Sequence, residues 1–157
     1  MTAPVSAIAA ARFLCERSGW TLTNLELQKM LYLAQMVYMG EHEGRPLFTG
    51  TFEAWDLGPV LPEVYRRVRA FGAQPIQDVF FGIRGVEDPE RQETLEAAYD
   101  QLSKFRAAQL VNITHDEIGA WYKHYQPGMH HVVIPDGAIF EEAKERFARR
   151  AKQRAGH

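Results

Sequence analysis

Leu22-Thr23-Asn24-Leu25-Glu26-Leu27-Gln28-Lys29-Met30-Leu31-Tyr32-Leu33-Ala34-Gln35 is the stretch on which the fold turns. Thr23 can accept a bond from the Glu26 amide and the Glu26 carboxylate can return one, while Leu22 can staple against Leu27; a helix therefore starts here. Leu27, Met30, Leu31, Ala34 and Tyr38 recur at i, i+3, i+4, i+7 and i+11, which predicts one buried face over about three turns. Gly40 or Gly44 is expected to stop it.

Working outward, residues 5–18 read as a short helix with Ala9, Ala10, Phe13 and Leu14 inward, ended by Gly19. Beyond Pro46-Leu47-Phe48, the segment Phe52-Glu53-Ala54-Trp55 is read as extended. Gly58-Pro59 is then expected to open a helix carrying Leu61, Val64, Tyr65, Val68 and Phe71, closed by Gly72, with Pro62 tolerated in its first turn. Ile76 to Val86 suggests a small hairpin or two short strands. Asp88-Pro89 caps a fourth helix with Leu95, Ala98, Tyr99, Leu102 and Phe105 as its stripe. Thr114-His115-Asp116-Glu117 repeats the capping pattern before a fifth helix that buries Ile118, Trp121, Tyr122 and Tyr125. His131 to Ile134 is extended, and Ile139, Phe140, Ala143 and Phe147 line a last helix whose early acids and late bases suit its macrodipole. The expected fold is mainly α with minor β: one compact helical domain of about six helices over 1–150, with short strands near 76–86 and 131–134. A basic tail over 151–157 is expected to fray.

The 157 residues suffice for one core, and 46% hydrophobic with 24% charged residues is an ordinary globular composition. No apolar run approaches the roughly 20 residues of a spanning helix. The apolar start lacks preceding bases and is broken by Arg12, so it reads as the first helix of the mature fold. Cys15 is the one cysteine, which excludes an internal disulfide and fits a reducing, cytoplasmic setting. The net charge of −2 is uneven: residues 141–157 hold six bases against three acids. No nucleic-acid or membrane partner is expected for so acidic a body, and the basic end suits a macrodipole-matched surface helix.

Catalytic patterns are missing. His115 and His124, read on one helix nine residues apart, would point to opposite faces. His130 and His131 diverge if extended, and neither H-E-x-x-H nor C-x-x-C occurs, so no metal site or cofactor is expected. No G-x-S-x-G elbow surrounds Ser6, Ser18 or Ser103. Cys15 reads as core. Gly82-Ile83-Arg84-Gly85 falls short of a phosphate loop. Glu53 and Asp56 flank Trp55, where loop solvation and capping explain them. Two surfaces remain: Arg66, Arg67 and Arg69 point away from the Leu61/Val64/Val68 stripe, and Tyr32, Tyr38, Trp55, Trp121, Tyr122 and Tyr125 form an aromatic set with polar tips, a residue type enriched at interfaces.

Taken together, Thr23-x-x-x-Leu27-Gln28-Lys29-Met30-Leu31-Tyr32-x-Ala34-Gln35, Pro46-Leu47-Phe48, Phe52-Glu53-Ala54-Trp55-x-x-Gly58-Pro59-Val60-x-Pro62-x-Val64-Tyr65 and Thr114-His115-x-x-x-x-x-Trp121 closely resemble the Panacea antitoxin domain, the SocA-like or GepA-like family. The likeness runs from about Leu22 to Phe147. One departure is Ala120, where the family usually has proline before the tryptophan. The resemblance implies a mostly helical antitoxin, not an enzyme, that binds a protein toxin encoded by an adjacent gene. For the SocA type it further implies a proteolytic adaptor that delivers the toxin to the ClpXP protease. Steric occlusion alone, and DNA-binding autoregulation, are the alternatives. Tyr32, Trp55, Asp56, Arg66, Arg67, Arg69, His115 and Trp121 are the candidate toxin-binding residues. Arg149, Arg150, Lys152 and Arg154 are the candidate tether to the ClpX unfoldase.

Overall fold

The capping box at Thr23 forms as its sequence requires: the Glu26 amide donates to Thr23 Oγ1 at 3.3 Å and the Thr23 amide to Glu26 Oε1 at 3.0 Å. It starts α2 (Asn24–Glu41), the axis of a computed structural model that describes residues 3–129 and 131–156. Around it stand α1 (Ala7–Arg17), α3 (Pro62–Val68), α4 (Pro89–Leu102), α5 (Ala107–Thr114) and α7 (Asp136–Ala155), each touching α2. The short α6 (Ala120–His124) packs on α7 and on β3 (Val133–Ile134). Strand β3 joins β1 (Phe52–Trp55) and β2 (Gly58–Val60) in an antiparallel sheet of order β2-β1-β3. The architecture is mainly α with minor β. None of the described helices is long and apolar enough to cross a membrane.

Being central, α2 is buried on nearly every side and not along one stripe. Gln28, Lys29 and Gln35 are buried with the apolar positions. Burying them requires partners, because an unpaired polar group in a core costs more than the bond would gain. Gln28 Oε1 accepts the Leu61 amide at 2.8 Å, Lys29 Nζ donates to the Pro59 carbonyl at 2.9 Å, and Tyr32 donates to Glu142 at 2.5 Å. Gln35 Oε1 accepts the Leu47 amide at 2.7 Å while its Nε2 donates to the Phe48 carbonyl at 3.0 Å. The helix thus satisfies the irregular backbone on both sides of the hairpin, where no strand could.

Several expectations need correction. Gly58-Pro59 does not open a helix; it forms β2, and α3 begins at Pro62. No strand forms within 76–86. There the carbonyls are taken by side chains instead: Arg12 reaches Ile83 O at 3.2 Å and Gln92 reaches Val86 O at 2.6 Å. Gly40 lies inside α2, where an added Cβ would sit 2.6 Å from the Phe147 ring, and the turn at Gly44 (φ +85°) follows the helix end. Thr114 does not open a helix but ends α5, and α6 starts after Gly119. Phe105 falls beyond α4. Among the described residues there are seven α-helices, in keeping with the expected number of about six. The last continues through Ala155, with exposed side chains from Ala148 on, so residues 151–155 are helical.

Burial without a counter-charge pulls the Lys29 amine down from 10.5 to about 7. Between those values the unfolded chain holds a proton that the folded chain has released, so this group makes stability rise with pH; below about 7 both states are charged and the desolvation cost stands in full. The unfolding free energy of the native chain minus that of Lys29→Met is therefore expected to climb by about 1.4 kcal/mol per pH unit from neutrality towards pH 10. Urea melts of both proteins across that range measure it. A flat difference would show that Nζ keeps its ordinary pKa.

Candidate partner-binding site

The register of the hairpin fixes the site. Trp55 pairs with Gly58, leaving Asp56 and Leu57 as a two-residue tip. Such a tight connection needs a backbone open to positive φ, and Gly58 supplies it at +118°. The tip is seated on α6: the Trp121 indole N–H donates to Trp55 O at 2.6 Å, and the Tyr125 hydroxyl donates to Asp56 Oδ1 at 2.6 Å. His115, closing α5, lies flat on Trp121 at 3.7 Å and 2°, and Trp121 stacks on Tyr125 at 4.6 Å and 18°. Trp55 itself meets Tyr65 edge-on at 4.8 Å, with its indole N–H on Glu53 at 2.9 Å. Rings in these geometries add attraction beyond their buried area.

The stack rests on buried polar groups. Glu142, on α7, accepts from Tyr32, from the Ala120 amide at 2.9 Å and from Arg146 Nε at 2.8 Å. Ala120 stands where the resemblance calls for proline, and its N–H is used; a proline there could not donate. Burial, and the Glu142 carboxylate beside it, hold the Tyr32 hydroxyl protonated by pushing its pKa well up. Burial first, and then the Lys29 charge, lower the pKa of His115, which disfavours the protonated ring.

The elements that hold the stack also carry exposed apolar side chains, although Trp121 itself is buried. Leu57, Tyr122, Met129 and Val133 are 57%, 52%, 54% and 50% exposed, four of the five large hydrophobic residues exposed among the described residues. They sit at the hairpin tip, on α6, in the turn before β3 and on β3, where Val133 pairs with Glu53. Tyr122 is thus not part of a buried face as its helical spacing suggests. A helix of only five residues lying at the surface buries one side alone.

Of the residues singled out in the sequence, Trp55, Asp56, His115 and Trp121 are brought together here. Tyr32 is fully buried, bonded to Glu142 and edge-on to Phe52 of β1 at 5.1 Å. Arg66, Arg67 and Arg69 are exposed on another face, where Arg66 and Arg67 border a 310 Å³ depression with Ile8 and Glu63. Arg149 pairs with Asp116 at 2.9 Å. Arg150, Lys152 and Arg154 are exposed along α7. His115 and His124 stand on different helices, contrary to their reading as one, and the latter's Nδ1 lies 2.8 Å from Ala120 O. His130 lies outside the described residues. Among those described, no three histidine, cysteine or acidic side chains cluster as metal ligands would. Cys15 is fully buried, and burial pushes its thiol up to about 12, so it stays protonated and poorly nucleophilic. Sequence reasoning missed Glu142. The i,i+4 spacing to Arg146 was its one available signal.

Fold and geometry together describe a helical scaffold that braces a short hairpin on a stack of mostly covered rings. Residues 27–122 match the family described as antitoxin SocA-like, Panacea domain, and the chain belongs to that family. The matched span runs from α2 through the hairpin to Tyr122. Antitoxin SocA of Caulobacter vibrioides (strain NA1000 / CB15N) is 33% identical over 130 residues, covering 74% of this chain and 69% of that protein. Two proteins named nucleoside diphosphate kinase, from Mycolicibacterium paratuberculosis (strain ATCC BAA-968 / K-10) and Rhodococcus jostii (strain RHA1), are each 30% identical over 116 and 118 residues. These matches cover 68% and 69% of this chain and 79% and 78% of theirs. No solved structure matches.

Proposed function

We propose that this chain is a cytoplasmic antitoxin that binds its cognate protein toxin, the product of an adjacent gene, and delivers it to the ClpXP protease. The observation that supports the binding step is that Leu57, Tyr122, Met129 and Val133, on the hairpin tip, on α6, in the turn before β3 and on β3, are all exposed. Aromatic residues with polar tips, pre-ordered by hydrogen bonds, lose little entropy on docking and are the usual anchors of protein interfaces. Trp55, Asp56, His115 and Trp121 shape this surface; Tyr32 supports it from below. Membership of the antitoxin SocA-like family supports the role. The exposed, basic end of α7, from Arg149 to Arg154, serves as the tether to ClpX.

The test uses the toxin co-expressed with this chain. Leu57→Asp with Tyr122→Asp is expected to weaken toxin binding at least tenfold while the melting temperature stays within a few degrees, since both side chains are exposed. The toxin's half-life in cells should fall only when this chain and ClpX are both present. A long-lived but inactive toxin would replace delivery by occlusion. Unchanged binding by the double variant would remove the aromatic surface from the interface. Salt-steep binding to upstream DNA would favour autoregulation, and phosphoryl transfer from a nucleoside triphosphate would favour the chemistry in the kinase names of two relatives.

A further inference from the structure

A large concavity lies away from the ring stack. It is a groove of about 1030 Å³ between α4 and α7, floored by α2. Leu33, Val37 and Leu102 supply apolar lining. Along α4 the wall is acidic, with Glu90, placed beside His42, and Glu93; along α7 it is basic, with Arg150 and Arg154. Among the described residues, Glu93, Arg150 and Arg154 have no ion-pair partner. The α7 wall lies beyond residues 27–122, so the family match does not account for it.

We infer that this groove takes an amphipathic helix of the toxin, with an apolar face down, acids on the edge beside α7 and bases on the edge beside α4. The inference rests on the toxin-binding reading above, adds a second point of attachment to it, and gives Arg150 and Arg154 to the toxin, leaving Lys152, which does not line the groove, for the tether. At a helix diameter of about 10 Å, the volume accommodates roughly two and a half turns, enough for three or four anchoring side chains at i, i+3, i+4 and i+7. The opposite signs of the two walls select the occupant. A second copy of this chain could offer the exposed end of α7, which would set bases against Arg150 and Arg154, or the exposed face of α4, which would set acids against Glu90 and Glu93. Neither carries both signs on opposite edges. Like charges across a desolvated groove cost affinity, whereas a helix with two differently charged edges is matched on both sides and in one direction only.

Two variants test this with the purified toxin from the adjacent gene: Ala97→Trp, which fills the groove from an exposed position of α4, and the pair Arg150→Glu with Arg154→Glu. Each is expected to weaken toxin binding at least tenfold by calorimetry with the melting temperature retained, and the loss for the charge pair should shrink as salt is raised. A photo-crosslinker placed at position 97 should label a toxin segment with the stated charge pattern. Wild-type affinity in both variants, or crosslinks from position 97 to a second copy of this chain, would overturn the groove while leaving the aromatic interface standing. Failure of the unaltered chain to bind the toxin would overturn both.

Discussion

Glu142→Ala is expected to lower the unfolding free energy by about 3–5 kcal/mol, the usual cost of removing one partner from a buried charged network. The carboxylate is 1% exposed and accepts from three groups: the Tyr32 hydroxyl, the Ala120 amide and the Arg146 guanidinium. Alanine leaves all three without that acceptor, although Arg146 keeps its bond to Ile113 O at 2.7 Å. In a domain of this size such a loss corresponds to roughly 6–20 °C in melting temperature. Glu142→Gln preserves the shape and one acceptor oxygen, so it should fall between alanine and the native residue. Chemical denaturation of the three proteins measures the order, and a loss below about 1 kcal/mol for alanine would show that water replaces the carboxylate. The same bonds join α2 to the first residue of α6, and therefore hold Trp121 under the hairpin tip. Toxin binding by Glu142→Gln should accordingly weaken more than that of a surface variant of equal stability.

Gly58→Ala is expected to cost about 3 kcal/mol or more, by two independent routes. At φ +118° a side-chain-bearing residue is strained, typically by 1–3 kcal/mol. The new Cβ would also stand 2.9 Å from both Lys29 Cε and Thr114 Oγ1, and 3.2 Å from Lys29 Nζ. Lys29 cannot simply move aside, because its amine is bonded to Pro59 O in the core. The strand must shift instead, and with it the Trp55 carbonyl that Trp121 grips. A combined Gly58→Ala, Lys29→Ala variant removes the crowding against Lys29 but keeps the Thr114 contact and the strain. In a double-mutant cycle it should be more stable than the sum of the single losses predicts; strict additivity would show that the crowding is relieved elsewhere.

Legibility in the sequence followed the range of the interactions. The Thr23/Glu26 box, the Asp88-Pro89 cap and the glycine stop at Gly19 involve neighbours a few residues apart, and each was readable from side-chain chemistry alone. The 76–86 run misled because β-prone residues next to glycines score as strands, whereas its carbonyls are claimed by side chains, from Arg67 and Gln92 on the flanking helices and from the remote Arg12. Gly58-Pro59 misled for a related reason: glycine before proline also suits an edge strand, where the missing N–H faces no partner.

Local capping, the apolar spacing of α2 and the family motifs can thus be read along the chain, since each is a matter of residues adjacent in sequence or along one helix. It takes the packing of remote elements to turn Gln28, Lys29, Tyr32 and Gln35 inward as supports, and to bring Trp55, Asp56, His115 and Trp121 together while Arg66, Arg67 and Arg69 stand apart. The reason is that a polar residue is buried when a remote partner exists to satisfy it. The partners of Lys29 and Tyr32 lie 30 and 110 residues away, a separation that helical periodicity does not encode.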